Sequence, residues 1–100
     1  MSYDKITIII NTFKSEDKIH QCIDSIVSKV KIIIIENSDN INLKKELENK
    51  YNNIQCFLTG KNLGYAKGNN LGISKVKSEY ALVLNPDAIL ASDALDKLLT

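Results

Sequence analysis

Four short runs rich in β-branched and other apolar residues alternate along the chain with stretches whose apolar positions recur at helical spacing. The runs are Lys5–Ile10, Lys31–Ile35, Asn53–Leu58 and Tyr80–Leu84. Ile32 to Ile35 is unbroken isoleucine, which suits a strand buried on both faces, as in a parallel sheet. Between the first two runs, Ile19, Cys22, Ile23, Ile26 and Val27 follow the i, i+3, i+4, i+7, i+8 pattern. They predict an amphipathic helix over Ser15–Lys29 with Ser15 as its N-cap. Asp39 or Asn40 is placed to cap a second helix with the stripe Leu43, Leu47 and Tyr51. A third helix is expected to end near Lys77, with Ala66, Ile73 and Val76 as its buried stripe. Ser92 or Asp93 opens a fourth, with Leu95, Leu98 and Leu99 apolar. The alternation predicts an α/β protein: an open, mostly parallel, Rossmann-like sheet flanked by helices, with right-handed crossovers. One hundred residues, without linker or repeat, read as a single domain over 1–100.

The third helical stretch holds the unusual composition. All four glycines, at 60, 64, 68 and 72, lie within it or just before it. Glycine inside a helix costs about 0.5–1 kcal/mol relative to alanine, so repeated use implies a backbone that approaches a sheet or a ligand closely. At least one of Asn69 and Asn70 falls where an apolar residue would pack better. A buried amide without a partner costs about 1–3 kcal/mol, so its partner is a neighbouring loop or a bound polar molecule.

Composition narrows the classes. Apolar content of 44% and charged content of 25% are those of an ordinary soluble domain. A net charge of +1 removes any global reason to expect nucleic acid or an anionic membrane as partner. All thirteen basic residues are lysine. Phosphate contacts must therefore come from lysines, backbone amides or a metal rather than from a guanidinium fork. No signal peptide is evident at Met1–Lys5, and no run approaches the roughly 18 apolar residues of a transmembrane span. Cys22 falls on the helical apolar stripe and Cys56 alternates with Ile54 and Leu58, so both read as buried small hydrophobes, and a reducing, cytoplasmic setting is expected. His20 reads as structural or exposed. Neither a P-loop, nor Gly-x-Gly-x-x-Gly, nor a Ser-His-Asp arrangement is present.

Candidate chemistry follows the strands. Asn11-Thr12-Phe13, Glu36-Asn37-Ser38-Asp39, Thr59-Gly60-Lys61-Asn62 and Asn85-Pro86-Asp87 succeed the four runs in turn. Open α/β sheets bind ligands outside the carboxyl ends of their strands, near the point where strand order reverses. Such loops are also polar simply as turns and caps, and Asn37 and Ser38 fit that reading equally well. Glu36 stands at the lip of the isoleucine run, where a carboxylate can accept from a base or ribose. Asp87 can supply one carboxylate to a magnesium-type cation whose other oxygens come from a diphosphate. Lys61 and Lys67 offer point charges to the same group.

Asn62-Leu-Gly-Tyr-Ala-Lys-Gly-Asn-Asn-Leu-Gly72 followed by Leu84-Asn-Pro-Asp87 resembles the N-terminal, nucleotide-binding half of family 2 glycosyltransferases, most of all the rhamnosyltransferase-like branch. The likeness extends from Ile6 to the end of the chain. It implies a GT-A fold, an inverting transfer from a dTDP- or UDP-sugar, and a Mg2+ or Mn2+ cofactor. By the same resemblance Thr12, Phe13, Glu36, Asn62, Lys67, Asn70 and Asn85 are nucleotide-binding and Asp87 holds the metal. Glu36 stands where Asp is usual, Phe13 where Tyr is common, and Asn85 replaces the first acid of the family's Asp-x-Asp. The family's general base lies downstream of that motif, so no catalytic residue is assigned here. The family is longer than this chain. The expectation is a truncated donor-binding part that does not turn over alone, with the acceptor glycan or lipid-linked glycan held by the missing half, peripheral to the inner membrane face. Two other readings stay open: a noncatalytic α/β binding or regulatory module, and an inactive piece that self-associates through an open sheet edge.

Overall fold

A computed structural model describes residues 3–99. Among these, a short 3-10 turn at Tyr3–Lys5 leads into β1 (Ile6–Thr12), α1 (Glu16–Asp24), β2 (Lys31–Glu36), α2 (Ile41–Lys50), β3 (Ile54–Leu58), α3 (Gly64–Ser74), β4 (Tyr80–Leu84) and α4 (Ala94–Leu99). The strands form one parallel sheet in the order β3-β2-β1-β4. The expected α/β architecture is therefore the observed one.

Handedness decides which helix covers which face. The steps β1 to β2 and β2 to β3 run in the same direction, so right-handed crossovers put α1 and α2 on one side. The return from β3 to β4 runs the opposite way and puts α3 on the other side. Accordingly Ile8, Ile10, Ile32, Ile34 and Cys56 share one core with Ile19 and Cys22 of α1, Leu43 and Leu47 of α2, and Leu95 of α4. Ile9, Ile33 and Ile35 are buried on the opposite face, where α3 packs over β1 and β2. Burial on both faces is what the continuous isoleucine run requires.

Three elements differ from the periodicity. β1 continues two residues past Ile10, because Asn11 and Thr12 still pair with Ile35 and Glu36. α1 stops at Asp24 instead of Lys29. Ser25 donates its hydroxyl back to the Cys22 carbonyl at 2.6 Å and accepts the Leu90 N–H at 3.0 Å, which ends the helix and anchors the β4–α4 loop. Ser15 makes no side-chain cap bond, whereas Asn40 caps α2 by accepting the Leu43 N–H at 3.0 Å. The stripe expected on α3 is also not the buried one. Ala66 and Ile73 are exposed, and Gly68, Asn69 and Gly72 face inward. The reason is approach distance: a Cβ on Gly72 would lie 2.5 Å from Ile9 Cγ2.

His20 belongs to the packing of α1 on α2. Its Nδ1 lies 3.0 Å from the Tyr51 hydroxyl, which donates to Asp24 Oδ1 at 3.0 Å. Burial, and then Asp24, push the Tyr51 hydroxyl up to about 12. Both thiols are free and buried, and burial raises Cys22 to about 11 and Cys56 to about 12.

The outer edge of the sheet at β3 is closed by side chains of α2. Glu48 Oε2 accepts the Cys56 N–H at 2.8 Å, Lys44 Nζ donates to the Cys56 carbonyl at 2.5 Å, and the two side chains pair at 2.9 Å. The Cys56 N–H, and then Lys44 against opposing desolvation, hold the Glu48 carboxyl below its usual range. A depressed folded-state value means that its stabilisation is present above the ordinary Glu range and is lost as pH falls through the lower folded value. Glu48→Ala is expected to cost about 1 kcal/mol or less at neutral pH, since the pair is partly solvated. The difference from wild type should shrink once the pH drops below about 4.5. Urea unfolding at pH 7 and pH 3 checks this; an undiminished difference at pH 3 would count against the ionic component.

Candidate functional site

The order of strand addition reverses at β1, between β2 and β4, and a crevice of about 320 Å³ opens there at the carboxyl ends of the strands. This is where open α/β sheets place ligands. Asn11, Thr12, Phe13 and Ser15 line it from the end of β1, and Val83 to Pro86 from the end of β4. Asn37 follows β2, Asn62 precedes α3, and Gly64, Tyr65 and Asn69 belong to α3.

A network of amides holds this geometry. Asn37 is 2% exposed. Its Nδ2 donates to Asn11 Oδ1 at 2.5 Å and to the Thr12 carbonyl at 2.9 Å, and its Oδ1 accepts the Leu63 N–H at 3.0 Å. Asn11 Nδ2 in turn donates to the carbonyls of Gly64 and Tyr65 at 3.3 and 3.2 Å. The first turn of α3 is thereby tied to the ends of β1 and β2. Gly68 sits directly against the Asn11 amide, within 2.5 Å of Nδ2 for any Cβ placed there, so a larger residue would break the tie. Gly64 has φ +84, a left-handed backbone that glycine adopts freely, and its N–H donates to Asn62 Oδ1 at 2.9 Å.

Thr12 and Glu36 form a second, buried unit. The Thr12 hydroxyl donates to Glu36 Oε1 at 2.6 Å and the Ser38 hydroxyl to Oε2 at 2.5 Å. Glu36 is 1% exposed and lies outside the crevice lining. Its carboxylate is thus committed to the end of β1 and the β2–α2 loop.

Of the residues expected to contact nucleotide, Thr12, Phe13, Asn62 and Asn85 line the crevice together. Glu36 lies beneath it. Lys67 and Asn70 are exposed on α3, outside the lining. The residue of the adjacent pair that does face the crevice is Asn69, which is 8% exposed. Its Oδ1 is buried and has no hydrogen-bond partner. Sequence spacing pointed to one of the two asparagines without separating them, and it gave no signal for Tyr65 or Val83.

Asp87 projects from the rim. Its N–H donates to Asn85 Oδ1 at 2.9 Å, closing the Asn-Pro-Asp turn, and its carboxylate stands 3.8 Å from Lys18 Nζ. Among the described residues no three His, Cys, Asp or Glu side chains converge on one point. A single carboxylate fits a magnesium-type ion only where the oxygens of a ligand complete the shell.

Sheet order, helix placement and the switch-point crevice define a GT-A-like α/β fold. The S. aureus TarS 1–349 structure superimposes with a TM-score of 0.79 over 95% of this chain and 31% of that one, at 17% identity, a likeness of fold alone. Residues 7–100 match the family model described as glycosyl transferase family 2, and the chain belongs to that family. It is 31% identical over 101 residues to the low-salt glycan biosynthesis hexosyltransferase Agl10 of Haloferax volcanii. It is 26% identical over 104 residues to an uncharacterized glycosyltransferase of Haemophilus influenzae. These alignments take in 97% of this chain, which spans 32% and 42% of the lengths of the two relatives.

Proposed function

We propose that these hundred residues form the donor-binding part of an inverting, rhamnosyltransferase-like glycosyltransferase. Its donor is a dTDP- or UDP-sugar and its acceptor a glycan or lipid-linked glycan. Family membership supports glycosyl transfer, and the name of the Haloferax relative supports a hexose donor and a glycan product. The observation that carries the reading is the unpaired, buried Asn69 oxygen at the switch-point crevice. An acceptor left without a donor costs about 1–3 kcal/mol, a penalty that an N–H or O–H of a bound nucleotide removes.

The crevice lining is rich in amides and hydroxyls and contains no Asp, Glu, His or Lys. Its chemistry is binding and orientation. The deprotonation of an acceptor hydroxyl therefore falls to groups outside this lining. Asn62, Gly64 and Tyr65 open α3 at the crevice, where the positive end of the helix dipole favours a diphosphate. Asp87 would hold Mg2+ or Mn2+ together with the diphosphate oxygens; when bound, the cation neutralises charge on the leaving group. No helix among the described residues is long and apolar enough to cross a membrane.

Calorimetry with UDP or dTDP and Mn2+ tests the assignment. The wild-type chain is expected to bind, and Asn69→Leu to weaken binding about tenfold or more, the equivalent of losing one well-made bond to a buried group. Asn70→Ala and Lys67→Ala should leave affinity within about twofold, a difference of roughly 0.4 kcal/mol. Equal affinity in the Asn69 variant, or no nucleotide binding by the wild type, would contradict the reading.

A further inference from the structure

One face of α1 holds the loop that carries Asp87. Lys18, Cys22 and Ser25 follow one another at i, i+4 and i+7, so they stand in line along the helix. The Cys22 thiol donates to the Asn85 carbonyl at 3.6 Å, and the Ser25 hydroxyl accepts the Leu90 N–H at 3.0 Å. These two bonds fix the loop against α1 on either side of Asp87. Lys18 Nζ then stands 3.8 Å from Asp87 Oδ1. Ser15, one turn before Lys18, belongs to the lining of the crevice, as do Asn85 and Pro86. The ammonium and the carboxylate thus share the rim of the crevice that the unpaired Asn69 oxygen faces. Both side chains are more than half exposed, and a solvated pair of this kind contributes little to the fold.

We propose that Lys18 contacts the diphosphate of the donor, its ammonium exchanging the Asp87 carboxylate for a phosphate oxygen when the ligand enters. The role rests on the donor-binding reading of the crevice and goes beyond it by naming the side chain that supplies positive charge. The lining itself contains no cationic side chain, and the chain has no arginine. The dipole of α1 does not fill that need, because Glu16 and Asp17 occupy its first turn and offset the positive end. Lys61 and Lys67, the lysines that the sequence nominates, both lie outside the lining. Lys14, between two lining residues, has its ammonium 5.2 Å over the Phe13 ring. Lys18 is the lysine paired with Asp87, so phosphates that reach Asp87 also come within reach of Lys18. The exchange gives up a weak, solvated contact for a partner of higher negative charge. Periodicity puts Lys18 on the polar face of α1 like any solvated lysine; its place at the rim comes from the packing of the β4–α4 loop on that helix.

Calorimetric titration of the 100-residue chain with UDP and Mn2+ provides the test. Lys18→Met should weaken binding about fivefold or more, the loss of one charge-assisted contact at a solvated rim, while the urea midpoint stays that of wild type. Lys18→Arg, which keeps the charge, should bind within about twofold of wild type. Lys45→Met removes the same charge from the exposed face of α2 and should also stay within about twofold, as should Lys14→Met. Raising salt from about 50 to about 300 mM should erode the affinity of wild type more than that of Lys18→Met. Unchanged UDP affinity in Lys18→Met would overturn the role of Lys18, as would an equal loss in Lys45→Met or Lys14→Met, or a loss that Lys18→Arg fails to restore. If wild type binds UDP and Asn69→Leu weakens it while Lys18→Met does not, the role of Lys18 alone is overturned and the donor-binding reading stands. A wild-type chain that binds no UDP overturns both.

Discussion

Asn37→Leu is expected to lower the unfolding free energy by about 2–4 kcal/mol, the summed and partly shared cost of leaving buried groups unpaired. Leucine keeps the branched shape and heavy-atom count of asparagine but is bulkier, so the loss is chiefly one of hydrogen bonds with some overpacking added. The substitution strands Asn11 Oδ1 and the Leu63 N–H together, while the Thr12 carbonyl keeps the backbone N–H of residue 37. Those groups belong to β1 and to the residue that precedes α3, so the effect reaches beyond one side chain. Urea unfolding measures the stability change. Hydrogen exchange at Leu63 and Gly64 should accelerate more than at Ile33 in the centre of the sheet, because the tie between α3 and the strand ends is what has been cut. A variant within about 0.5 kcal/mol of wild type, the range of neutral surface changes, would mean that the amide network does not hold α3 in place.

Gly72→Leu is expected to cost about 3 kcal/mol, at the upper end of what overpacking a filled interior does. A Cβ at this position already meets Ile9 Cγ2 at 2.5 Å and Ile35 Cγ1 at 3.3 Å. Neither isoleucine can yield, since both are fully buried in the centre of the sheet. The helix must move instead, and it carries Asn69. Affinity for UDP or dTDP should therefore fall together with stability. Gly72→Ala should lose less, because alanine regains about 1 kcal/mol of helix propensity over glycine. A Gly72→Leu chain as stable as wild type would show that α3 does not pack as closely on β1 and β2 as described.

Much of this molecule was legible before any coordinates. The runs around Ile8, Ile33, Cys56 and Leu82 are strands, the Ile32–Ile35 run is buried on both faces, and Leu43 and Leu47 face the core. Each of these follows from local periodicity. A strand repeats every second residue and a helix every 3.6, and solvent is excluded from one face of each. Glu36 illustrates where that logic ended. The sequence placed it at the lip of a buried strand, where it does stand. Whether its carboxylate faces a ligand or its own neighbours depended on Thr12 and Ser38, which converge on it only when β1 and the β2–α2 loop are assembled.

The order of polar and apolar residues along the chain determined the class of fold, the position of the polar loops at one rim, and the presence of an ill-fitting asparagine in the glycine-rich helix. Tertiary structure alone decided that α3 lies so close to the sheet that Gly68 and Gly72 replace its expected apolar stripe, and that Asn69 rather than Asn70 is the buried one. The separation between a helix and the strands beneath it is set by contacts between residues tens of positions apart. Periodicity within either segment carries no record of that distance, and so it cannot tell which of two adjacent side chains the approach will bury.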